Sequence, residues 1–132
     1  MTDYAKRIYE LLDRDRADLR KVALTLPNDS IDLYFRPFTS TQHRDCLARA
    51  KKIKEIRDVS SDKVVEETYI CDYTYMASVV YYQSLDEKGE RIFSSFNDIQ
   101  RLLDKIPYTK LATLATYMGA DIENEIKEFT NG

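Results

Sequence analysis

Residues 64 to 85, VVEETYICDYTYMASVVYYQSL, hold the highest density of apolar and aromatic side chains in this 132-residue chain. Spaced at about 100° per residue, Val65, Tyr69, Tyr73, Met76 and Val80 fall on one side of a helix. Cys71, Tyr75, Val79 and Tyr82 form a second stripe beside them. A helix that is apolar on so many sides does not sit on a monomer's surface. It is either the central helix of the domain or is partly covered by another chain. A strand over YMASVVYY stays open as the other reading, because valine and tyrosine suit a pleated surface.

The rest of the chain must supply the packing around that run, and its length allows one domain spanning residues 1–132. With 43% hydrophobic and 33% charged residues but only three glycines and three prolines, it should fold, and mostly into helices. TDYAKRIYELLDRDRADLRKVALTLP places Tyr4, Ile8, Leu11, Leu12, Leu19, Val22, Ala23 and Leu26 at helical intervals. One long helix or two short ones would satisfy it. In IDLYFRP, Ile31, Leu33 and Phe35 alternate with Asp32, Tyr34 and Arg36, the period of a half-buried strand, and Pro37 closes it. Thr39 and Gln42 then have the spacing of a capping box for a helix running from Ser40 to Arg57 and burying Cys46, Leu47, Ala50 and Ile53.

After a turn at Gly89, Ile92 and Phe93 return to the core as a short extended piece. Helices follow in FNDIQRLLDKI and YTKLATLATYM, with Gly119 in the position after a helix end. A last helix is expected in DIENEIKEFTNG. The expected fold is thus mainly α: a compact bundle of five or six helices with one or two short strands.

The chemistry of catalysis is missing. His43 is the single histidine, and Cys46 and Cys71 have no CxxC spacing and no histidine pair nearby, so they read as buried thiols rather than ligands. No glycine-rich phosphate loop or GxSxG elbow occurs. The expectation is a non-enzyme with no cofactor and no metal. The opening MTDYAKRIYELL lacks the apolar core of a secretion signal, and no run reaches the roughly 18 apolar residues of a membrane span. A cytoplasmic protein without a membrane partner is expected.

A formal charge of −3 argues against nucleic-acid binding by bulk electrostatics. Locally, Arg44 to Arg57 holds six Lys/Arg against Asp45 and Glu55. This run reads as a solvated helix face, a phosphate-binding face, or a surface drawn to acidic partners. The chain has acidic stretches of its own at 62–72 and 121–128, so copies could meet head to tail and build a ring or an open helix. Five of the ten tyrosines lie between Tyr69 and Tyr82, and tyrosine suits surfaces that pass from wet to buried. The candidate interaction residues are Tyr75, Val79 and Tyr82 on the second stripe and Arg49, Lys52 and Arg57 on the basic face.

The order of these features resembles the tail assembly chaperones of long-tailed bacteriophages, most closely the short form made by lambda-like siphophages. The resemblance spans about residues 30 to 120 and is carried by YFRPFTSTQ at 34–42 and DEKGERIF at 86–93. Gln42 departs from it, since similar proteins often have an acid there. The resemblance implies a morphogenesis factor without catalytic residues that acts in the host cell cytoplasm and leaves the finished virion. It would bind the tape measure protein, keep it soluble and help recruit tail tube subunits. Many such proteins also have a longer form made by ribosomal frameshifting. The alternatives are a small nucleic-acid-binding regulator using the helix from Ser40 to Arg57, and a structural tail or connector subunit.

Overall fold

The computed structural model describes residues 2–60 and 63–120. Helix α1 (Asp3–Ala17) starts at Thr2, whose hydroxyl accepts a hydrogen bond from the Ala5 amide at 3.2 Å. Strands β1 (Arg20–Leu26) and β2 (Asp29–Phe35) form an antiparallel hairpin with Val22 opposite Leu33 and Leu24 opposite Ile31. Helix α2 (Ser40–Ala50) follows Pro37 through the expected capping box. The Thr39 hydroxyl accepts from the Gln42 amide at 3.2 Å, and the Gln42 side-chain oxygen accepts from the Thr39 amide at 3.0 Å. Strands β3 (Lys51–Asp58) and β4 (Lys63–Ile70) make a second antiparallel hairpin. Helices α3 (Asp72–Gln83), α4 (Asn97–Lys105) and α5 (Tyr108–Tyr117) complete the described chain.

Helix α3 is the centre. Tyr75, Met76, Ala77, Val79, Val80 and Tyr81 are all at most 2% exposed, so the segment is helical, central and not a strand. Helix α2 packs on one side of it, and α4 and α5 on others; Val22, Leu33 and Phe35 of the first hairpin join the same core. Leu111, Leu114, Ala115 and Met118 bring α5 in, and Ile99 brings in α4. A buried amide ties the layers together: Gln83 Nε2 donates to the carbonyls of Arg36 and Met118, both at 2.9 Å. Satisfying two main-chain oxygens from one side chain fixes where β2 ends relative to where α5 ends.

A bundle with one or two strands is not what forms. Among the described residues there are four strands in two separate two-stranded sheets beside five helices, an α+β arrangement. The difference arises where two periods coincide. Leu19, Val22, Ala23 and Leu26 fit a helix, yet Val22, Leu24 and Leu26 also alternate, and pairing with β2 decides for the strand. The helix expected to reach Arg57 stops at Ala50, and Lys51 is already extended. Ile53, Ile56, Val64, Val65 and Ile70 are β-branched and favour the pleat, and the Cys71 amide donates to the Ala50 carbonyl at 2.8 Å to close the base of the second hairpin. Val65 and Tyr69 therefore belong to β4 and not to the central helix.

The extended piece at Ile92–Phe93 reduces to a single bridge between Leu85 and Arg91. The expected final helix in DIENEIKEFTNG and the acidic stretch at 121–128 lie outside the described residues.

Candidate functional site

The two sequence stretches that carry the resemblance meet in space. Tyr34 and Leu85 exchange main-chain hydrogen bonds of 3.0 and 2.7 Å, joining β2 to the segment before Asp86. The Asp86 carboxylate accepts from the amides of Lys88 and Glu90 at 2.9 Å each, shaping a turn that ends on Gly89 with φ +82°. Gly89 lies against Arg36, since a Cβ there would sit 2.9 Å from Arg36 Nη2. Arg36 Nη1 in turn donates to the carbonyls of Arg16 and Ala17 at 2.9 Å each. A guanidinium on the last carbonyls of a helix satisfies its orphan acceptors and its dipole together. The corner thus anchors α1 by its C-terminal end, helped by Arg16 donating to the Pro37 carbonyl at 3.2 Å.

Beyond that anchor, α1 contributes nothing to the core among the described residues. Every residue in it is exposed except half-buried Ala5, and its stripe of Tyr4 (78% exposed), Ile8, Leu11 and Leu12 (58%) faces water. An isolated helix of this length is marginal, so an apolar stripe on it is surface awaiting a partner. A second apolar surface is a groove of about 480 Å³ between the far end of β1 and α4. Leu24, Leu26, Phe93, Leu102, Ile106 and Pro107 line it together with Asp98, Arg101 and Lys105.

The six candidate residues do not form one site. Tyr75 and Val79 are core, 2% and 0% exposed, and no partner can reach them in this fold. Tyr82 is half-buried, 4.9 Å edge-on from Tyr81, with the Arg91 guanidinium 5.4 Å from its ring. Arg49 is exposed and lies 3.6 Å over the Phe96 ring; with Asp45, Ala48 and Tyr82 it lines a depression of about 470 Å³. Lys52 and Arg57 stand apart on β3. Because the helix ends at Ala50, Lys51 falls on one face of a strand and Lys52 and Lys54 on the other. The continuous basic helix that the nucleic-acid reading required does not exist.

His43 packs edge-on between the rings of Phe38 and Tyr75, at 5.8 and 5.9 Å. Among the described residues no group of three or more His, Cys, Asp or Glu could hold a metal ion, and no helix is long and apolar enough to cross a membrane. Both cysteines are free. Burial, with the charge of Asp45 as a lesser cause, pushes the Cys46 thiol up to about 12. Hydrogen bonds from the side chain and then the backbone of Thr74 lower that of half-buried Cys71. Since the thiolate is the nucleophile, iodoacetamide at pH 8 is expected to modify Cys71 and spare Cys46 until the chain is unfolded. Mass spectrometry of timed digests reads this out, and equal rates would contradict it.

The exposed α1 stripe was legible as an amphipathic pattern, but not as one left outside the core. The groove joins residues some 80 positions apart, and no local signal announces it. No family model matches the chain, and neither the curated proteins nor the solved structures gave a match.

Proposed function

We propose that this chain is a non-enzymatic tail assembly chaperone of a long-tailed phage, acting in the host cytoplasm and absent from the mature virion. It holds helical segments of the tape measure protein on the α1 stripe and in the β1–α4 groove, helps recruit tail tube subunits, and associates with copies of itself. One observation carries the reading: two apolar surfaces stay open on a chain whose core is already closed around α3. The resemblance in YFRPFTSTQ and DEKGERIF supplies the client.

The chemistry suits such a client. A dry cavity of about 150 Å³ holds one benzene, so a groove about three times larger accepts roughly three side chains from one face of a helix. Lys105 beside it, with Arg101 paired to Asp98 at 3.6 Å, favours a client helix with an acid flanking its apolar stripe. Binding the exposed client keeps it soluble by mass action and needs no nucleotide. Several weak sites on associated copies add through effective concentration.

Co-expression with the tape measure protein tests this. A soluble complex is expected with the native chain. The double substitution Ile8→Gln and Leu12→Gln should leave stability within about 0.5 kcal/mol, because both residues are exposed helix positions, yet sharply reduce recovery of the complex. A tape measure protein that is equally insoluble with and without this chain would refute the proposal.

A further inference from the structure

The β3–β4 hairpin is an arm that the core does not explain. Every side chain described along residues 51–57 and 63–70 is exposed, Ile53 by 67%. Among the described residues the two strands pair only with each other, and each there has one unpaired edge of about 25 Å. Two strands without a covered face are marginal in water, whereas three or more are stable, and a free edge is a template for a further strand. The register puts Ile53, Val64 and Ile70 on one face and Ile56, Val65 and Tyr69 on the other, leaving apolar groups uncovered on both.

Charge identifies what could complete it. β3 carries Lys51, Lys52, Lys54 and Arg57 against Glu55 and Asp58, and β4 carries Glu66 and Glu67 against Lys63. One edge is therefore basic and the other acidic. Glu55 also lies directly opposite Glu66, a like-charge pair that weakens an isolated hairpin and would be relieved by lysines from a neighbouring strand. The chain itself supplies both complementary edges, so the partner that fits is a second copy.

We infer that copies of this chain join edge to edge through the arm, the basic β3 of one against the acidic β4 of the next. The result is a four-stranded sheet from two chains, with one edge of each kind still free for further copies. The contact is heterologous and does not close by pairwise symmetry. It rests on the self-association in the reading above but needs no client.

Sedimentation velocity of the full chain across concentration and salt tests the inference. The native chain should associate at low salt and dissociate as salt screens the edges. Lys52→Glu with Lys54→Glu makes both edges acidic, and Glu66→Lys with Glu67→Lys makes both basic. Each double variant alone should associate on the order of tenfold more weakly. Mixed together, or with all four changes in one chain, they should regain association. A native chain that stays monomeric, an association indifferent to salt and to both reversals, or a mixture no better than its parts would each overturn the inference. Reversed variants that no longer self-associate but still solubilise the tape measure protein support the arm as the subunit contact. Loss of client binding in the native chain strikes at the chaperone reading alone.

Discussion

Replacing Tyr75 with alanine is expected to lower the stability of the isolated monomer by about 3 to 5 kcal/mol, the cost of removing a large aromatic ring from a packed core. The ring is 2% exposed on the central helix and meets His43 edge-on at 5.9 Å, so the cavity opens between α2 and α3, where neither helix can move in without disturbing the rest. Small domains have only about 5 to 15 kcal/mol to lose, so this single change takes a large share. Tyr82→Ala, at the half-buried penultimate position of the same helix, should cost less, about 1 to 2 kcal/mol. Urea unfolding of dilute protein, followed by far-UV circular dichroism, separates the two. A Tyr75→Ala protein as stable as the native one would mean that the ring lies at an interface after all, and that α3 is not the centre.

Gly119→Ala should be comparably damaging although it adds one methyl group. Gly119 has φ +117°, a conformation L side chains rarely adopt, and a Cβ there would stand 2.5 Å from the Cβ of Phe38. The strain and the overlap each cost roughly 1 to 3 kcal/mol, and together about 2 to 6. Phe38 cannot yield easily, because the atom struck is the first off its backbone. Any retreat also pulls on Met118, whose carbonyl holds Gln83. Gly89 provides the contrast. It also has positive φ, but the near atom is the tip of Arg36, which can swing aside, so Gly89→Ala should cost less and chiefly loosen the cap on α1. Thermal melts of the two variants, read beside the native chain, give the order; equal melting temperatures for native and Gly119→Ala would refute the packing described around Phe38.

What local chemistry dictates was readable in advance. Alternation through Leu33 and Phe35, the amide missing from Pro37 and the reciprocal capping of Thr39 and Gln42 act within a few residues, and all appear where expected. The same holds for α4, α5 and the glycine behind α5, whose signals are breakers and a 3.6-residue period. Of the apolar run at 64–85 only the second half is buried, as α3, while Val64 to Ile70 form the exposed strand β4.

The tertiary structure alone decided which of two compatible periods wins. Val22, Leu24 and Leu26 became a strand because β2 lay ready to pair with them, and Ile53 and Ile56 became one because the chain turned back at β4. Pairing is a contact between segments, and a single segment's pattern does not contain it. The same reason placed Tyr75 and Val79 inside while leaving the equally apolar Ile8 and Leu12 in water: a stripe states that a face can be buried, and only the surrounding elements state whether it is. Charge behaved likewise. The basic and acidic runs were plain in the sequence, but the hairpin set them side by side as opposite edges of one arm, which turned a question of composition into one of subunit geometry.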